Sequence, residues 1–158
     1  MADSINCKQC DTPLRLQLVS TIAGEEGVLK ITVADFPALV CERSHRHFVS
    51  QDFPRQLLEQ VADGDKTGLP AGKKRGLLFK KYHCGQCDER LAAEGEPRPF
   101  GFYVQLPDLQ PLRVEFTVPV YHCTACGQEQ LREQGEMEGL APAALAHAFQ
   151  GAGIKPQG

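Results

Sequence analysis

The stretch Leu112-Arg113-Val114-Glu115-Phe116-Thr117-Val118-Pro119-Val120-Tyr121-His122-Cys123-Thr124-Ala125-Cys126-Gly127 decides how this chain is read. Leu112, Val114, Phe116 and Val118 alternate with polar residues, the period of a strand with one buried face. The strand then runs into a C-x-x-C pair, a spacing that lets two thiolates turn around one ion in a tight loop. A strand that delivers such a knuckle implies a small β module held by metal rather than by a large core.

The same unit recurs upstream of this stretch. The chain has seven cysteines, and all but Cys41 fall into three C-x-x-C pairs. Cys84-Gly85-Gln86-Cys87 and Cys123-Thr124-Ala125-Cys126 are each half a tetrahedron, so together they predict one closed four-thiolate site. Cys7 and Cys10 are followed by Cys41, in the run Cys41-Glu42-Arg43-Ser44-His45-Arg46-His47. Ser44 stands where a fourth cysteine would fall and binds zinc poorly, so an imidazole is expected to close this first site. His45 is favoured, because one more loop residue and the longer reach of the ring return a donor to nearly the same place. His47, on the same side of an extended segment, is the alternative.

The likeness between the halves continues upstream of the knuckles. Leu29 to Cys41 runs parallel to Leu112 to Cys123, with Pro37 and Pro119 each four residues before the cysteine. The alternation slips by one residue between the copies, which a bulge at Ala34-Asp35 would absorb. Further strands are expected over Leu14, Leu16 and Leu18, over Leu29, Ile31 and Val33, and over Phe100, Phe102, Val104 and Leu106. A short helix is expected from Asp52 to Val61, with Pro54 in its first turn and Leu57, Leu58 and Val61 packed on the sheet, and a second between Pro142 and Gly151.

These signals give a mainly β, small β+α chain of two tandem zinc-ribbon-like modules, each with a short trailing helix. Module 1 spans residues 1-63 with three cysteines and one histidine as ligands. Residues 64-82 form a basic linker leading into a strand. Module 2 spans 83-158 with four cysteines and the C-terminal helix. Modules of roughly 75 residues bury too little apolar surface to be stable without a staple. One structural Zn2+ in each, two per chain, supplies apparent binding energy of about 10–16 kcal/mol that acts as folding energy.

With Cys7, Cys10 and Cys41 set out and a strand ending in Phe36-Pro37-Ala38, the first module resembles the YgiT/MqsA-type zinc-binding domain. The second, ending His122-Cys123-Thr124-Ala125-Cys126-Gly127-Gln128-Glu129, is similar to that family's C-x-x-C-G-E ending. The first module departs from the family at Cys41-Glu42-Arg43-Ser44-His45. The resemblance implies a zinc-ribbon fold whose zinc part contacts a partner protein. The helix-turn-helix DNA reader that often accompanies the family is not expected, because the residues after Cys126 have room for only one short helix.

Charge narrows the partners. Seventeen Lys and Arg against 20 Asp and Glu leave a net charge of −3, which excludes a uniformly basic nucleic-acid coat. Lys66, Lys73, Lys74, Arg75, Lys80 and Lys81 are nevertheless concentrated in one segment. It reads either as a solvated linker that enters a strand at Leu77-Leu78-Phe79 or as a nucleic-acid contact. No stretch approaches the roughly 18 apolar residues of a membrane span, and the first residues lack a signal pattern. A cytoplasmic protein with reduced thiols and no membrane partner is therefore expected. His83 and His122 read as groups beside the second site, and His147 as a packing or surface residue.

An enzyme is not expected. Catalytic zinc keeps one coordination position open, whereas eight protein ligands close two sites here. The expected role is a non-catalytic interaction or regulatory protein that presents a β-ribbon to a protein partner. Direct nucleic-acid binding through residues 66-81 is the alternative, and a rubredoxin-like iron or redox protein is a third reading. Exposed strand edges also leave a homodimer open.

Overall fold

The computed structural model describes residues 5–78 and 81–155. The chain forms β1 (Arg15–Leu18), β2 (Ile22–Glu26), β3 (Leu29–Val33), β4 (Pro37–Val40), β5 (Arg46–His47) and α1 (Phe53–Ala62). It continues through β6 (Lys73–Arg75), β7 (Lys81–His83), β8 (Glu96–Val104), β9 (Leu112–His122), β10 (Glu129–Gln130), α2 (Glu136–Gly151) and β11 (Ile154–Lys155). The fold is mainly β with two helices and several small sheets, as the alternation predicts.

The central sheet joins the two halves. The β2–β3 hairpin and the β8–β9 hairpin meet through β3 and β9, which run antiparallel with Ile31 opposite Phe116 and Val33 opposite Val114. The order β2-β3-β9-β8 joins one hairpin from each half edge to edge. β10 adds to the far end of β9. A second sheet, in the order β1-β4-β5-β11, also draws on both halves, because β11 lies parallel to β5 with Ile154 beside Arg46.

One hydrophobic core therefore crosses the boundary expected at residues 63/64. Ile31, Val33, Phe36 and Leu57 from the first half are fully buried in the same cluster as Val114, Ala144 and Leu145 from the second. α2 lies against β2 so closely that a Cβ on Gly24 would come within 2.1 Å of the Ala144 carbonyl oxygen. Only glycine fits there. α1 buries Phe53, Leu57 and Val61 and sets the Phe53 ring edge-on to Phe36, 5.4 Å away.

Four local expectations are corrected. Ala34-Asp35 is a turn rather than a bulge: Asp35 takes a φ of 48° and the chain leaves the central sheet to form β4 beside β1. In the second half β9 instead runs unbroken through Pro119, so one strand does what β3 and β4 divide. β1 forms, but Leu16 and Leu18 are exposed, with no described element covering that face. α2 begins at Glu136 behind a left-handed Gly135, which leaves Pro142 inside the helix rather than at its start. Leu77 and Leu78 form a bend between β6 and β7 and are 99% and 90% exposed. Phe79, the third residue of the strand expected there, lies outside the described residues.

Candidate metal centres

Backbone conformation builds the knuckles before any metal is considered. In each C-x-x-C the N–H four residues after the first cysteine donates to that cysteine's carbonyl: Asp11 to Cys7 (2.7 Å), Asp88 to Cys84 (3.0 Å) and Gly127 to Cys123 (2.8 Å). Each of these donors has a positive φ, at 58°, 65° and 81° respectively. Asp and Gly are residues that tolerate this left-handed conformation. The first cysteine N–H then donates to a carbonyl five residues on, Thr12, Glu89 or Gln128, closing the loop at 2.7–2.9 Å.

The fourth knuckle is one residue tighter. Ser44 carries the positive φ (67°) and donates to the Cys41 carbonyl at 2.9 Å, while Cys41 N–H reaches the His45 carbonyl at 3.2 Å. The left-handed residue thus occupies the place of the second cysteine. The next donor along the chain is His45, at the threshold of β5.

The side chains converge into two groups of four, Cys7, Cys10, Cys41 and His45, and Cys84, Cys87, Cys123 and Cys126. Within each group all donor atoms lie within 4.8 Å of one another. Zinc with Zn–S near 2.3 Å and Zn–N near 2.0–2.1 Å sets tetrahedral edges of about 3.8 Å between sulfurs and about 3.6 Å between sulfur and nitrogen. In the first group Cys10 and Cys41 sulfurs are 3.5 Å apart, and His45 Nδ1 lies 3.5 Å from Cys7 Sγ and 3.4 Å from Cys41 Sγ. In the second, Cys84 to Cys126 is 3.6 Å and Cys87 to Cys123 is 3.5 Å. Both groups fit a tetrahedral ion with thiolate and imidazole donors. His47 stands outside the four: it is buried, with Nε2 3.3 Å from Cys7 Sγ.

Hydrogen bonds to sulfur offset the charge of three or four thiolates around a dication. His45 N–H donates to Cys41 Sγ at 3.3 Å, and Gln86 N–H to Cys84 Sγ at 3.4 Å. Gln130, fully buried on β10, also donates its side-chain amide to Cys84 Sγ (3.2 Å) while its oxygen accepts Gly85 N–H (2.8 Å). The Cys84 thiol is pulled down to about 6, first by the Gln130 amide and then by the Cys87 backbone. Burial pushes the Cys41 thiol up, but the backbone N–H groups of His45 and Arg43 outweigh it and bring it to about 6. Sequence spacing gave no sign of Gln130, which lies on β10 three residues beyond Gly127.

The remaining candidate residues serve other ends. His83 Nδ1 bonds the Asp88 carbonyl at 2.9 Å and steadies the knuckle that Cys84 opens. His122 is exposed opposite Glu129, and His147 pairs with Glu26 on the surface at 3.0 Å. Lys73, Lys74 and Arg75 form β6 and Lys81 opens β7, so these four share one hairpin. Two of them are matched by acids of the chain itself, Lys74 by Glu133 at 3.9 Å and Arg75 by Asp88 at 2.7 Å. Lys66 lies apart, over the Phe102 ring. Lys80 lies outside the described residues.

Among the described residues, no helix is long and apolar enough to cross a membrane. No protein family, curated protein or solved structure matches the chain. The two clusters are able to hold a metal ion on their own geometry.

Proposed function

We propose that the chain holds two structural zinc ions, one on Cys7, Cys10, Cys41 and His45 and one on Cys84, Cys87, Cys123 and Cys126, and acts as a non-catalytic binding module for a protein partner. The observation that carries this reading is closure: four protein donors at tetrahedral spacing surround each centre. Catalytic zinc needs a position for water or substrate, and a complete set of protein ligands leaves none. The metals then fix the shape of a surface that another protein reads, in keeping with the zinc-ribbon resemblance of the two knuckle pairs. Zinc-edge X-ray absorption on the loaded protein is the test. The expected first shell is sulfur with a minor nitrogen contribution. An oxygen scatterer at either site would reopen the enzymatic reading, and iron would favour the redox one.

Nucleic-acid contact is the second reading, favoured by the gathering of Lys73, Lys74, Arg75 and Lys81 on one exposed hairpin. Each phosphate contact adds about 0.9 to the slope of log affinity against log salt. Replacing Lys73, Lys74 and Arg75 with Ala should leave affinity for a protein unchanged under the first reading and flatten that slope under the second.

A further inference from the structure

Each outer sulfur of the second centre is set beside an inner sulfur of the opposite knuckle. Cys126 is exposed, with its Sγ 3.6 Å from that of buried Cys84, and Cys87 is exposed, with its Sγ 3.5 Å from that of buried Cys123. Two sulfur pairs thus span the knuckles, each with one member that a small oxidant in water can reach. The first centre is built otherwise. There Cys10, 3.5 Å from the Cys41 sulfur, is half-buried with Thr12 Oγ1 at 3.0 Å from its own, and the other outer donor is the His45 imidazole, which forms no disulfide. Oxidation of cysteine follows thiolate character and exposure, so the two centres differ in what an oxidant meets first.

The second centre also stands apart from the shared core. Cys84, Leu91, Tyr121 and Cys123 form a small buried cluster of their own, with Tyr82 packed against it, and none of them belongs to the cluster that holds Ile31, Phe36, Phe116 and Leu145. A unit with so little apolar burial of its own opens at a lower free energy than the whole fold.

We propose that the second centre is a peroxide-sensitive zinc switch, in which the cross-knuckle disulfides Cys84–Cys126 and Cys87–Cys123 take the place of the metal while the first centre keeps its ion. The exposed Cys126 thiolate attacks one oxygen of hydrogen peroxide; the O–O bond breaks, hydroxide leaves, and a sulfenic acid remains. Gln130 donates to Cys84 Sγ and draws charge from it, so the first attack falls to the outer sulfur. The Cys84 thiolate then attacks the Cys126 sulfur, the S–S bond forms, and a second hydroxide leaves. The two thiolates have lost two electrons, the peroxide has gained them, and two solvent protons turn the hydroxides into water. Zinc, left on two thiolates, departs, and Cys87 and Cys123 repeat the steps with a second peroxide. The proposal rests on the zinc reading above and adds its regulation: the surface shaped by the second metal comes to depend on oxidation, and that shaped by the first does not.

The test is hydrogen peroxide added to the zinc-loaded full chain, with released zinc followed by a colorimetric dye, disulfides mapped by peptide mass spectrometry, and secondary structure followed by circular dichroism. One of the two zinc ions should be released, both cross-knuckle links should be found, and the circular dichroism should stay close to that of the untreated protein. Dithiothreitol and fresh zinc should restore the second ion. The double variant Cys87→His, Cys126→His keeps four donors at the second centre and should hold both zinc ions at the same peroxide dose; if it does not load, the disulfide map of the native chain decides. Release of neither ion, release of both, or disulfides within a knuckle, such as Cys84–Cys87, would overturn the switch and leave the zinc reading standing. A second centre that carries no zinc before peroxide is added would overturn both.

Discussion

The two metal centres are built from the same backbone device yet differ in how far the surrounding fold encloses them. In both, the first cysteine of each knuckle faces inward and the second donor faces outward. At the first centre Cys10 and His45 are still half-buried, and the buried His47 ring backs Cys7. At the second, Cys87 and Cys126 are exposed. The difference follows from the sheets. The first centre hangs on β4 and β5, where β11 returns from the far end of the chain to lie beside β5. The second centre hangs on the ends of β7 and β9 and is backed by Gln130, Leu91 and Tyr121. Similar knuckles thus form two unequal clusters because the C-terminal segment of the second half pairs beside β5 in the first.

The largest effect is expected where that closure is made. Gly24→Val would drive a side chain into the Ala144 carbonyl and lift α2 from β2. Because α2 leads into β11, both sheets should be disturbed, with a loss of several kcal/mol, in the range of about 4–5 or more that marks severe core damage. Thermal unfolding should show this as a sharp fall in midpoint, and a midpoint within a few degrees of native would refute the shared core.

The next effect sharpens the contrast between the sites. Given limiting chelator, the zinc held by exposed Cys87 and Cys126 should leave first, so release monitored with a colorimetric dye should be biphasic, and Cys126→Ser should abolish the fast phase. Loss of the fast phase in Cys10→Ser instead would invert the account. A smaller effect is expected from Gln130→Leu, which keeps the side-chain bulk but removes the donor to Cys84. Zinc affinity of the second site should fall by about 10–100-fold, the usual cost of losing an outer hydrogen bond to a ligand, with the first site unaffected. A competition titration would read it.

Much of this was legible in the residues. The spacing of Cys84, Cys87, Cys123 and Cys126 marks a cluster able to hold a metal, and the four donors do converge, since short loops around C-x-x-C admit few geometries. Alternation at Leu29, Ile31 and Val33 and from Leu112 to Val118 marks strands because one face of each is buried. That these two strands pair with each other was not legible. Strand alternation says which face is buried and nothing of which edge is joined, so a periodic chain looks the same as two modules or as one sheet. Leu16 and Leu18 mislead for a related reason, because alternation also occurs on a strand whose apolar face is left uncovered. The early start of α2 was hidden by Pro142, which ordinarily opens a helix but here is tolerated within it. Gln130 was hidden because a side chain that bonds a ligand sulfur obeys no spacing rule.

The most direct test of the account is zinc per chain, measured by elemental analysis on the native protein, His45→Ala and His47→Ala. Two zinc ions are expected in the native protein, one in His45→Ala, and two in His47→Ala, because His45 Nδ1 stands at tetrahedral distance from both Cys7 and Cys41 and completes the group of four, of which His47 is not a member. Two zinc ions retained in His45→Ala, or one in His47→Ala, would contradict the closed Cys3His centre on which the reading of this chain rests.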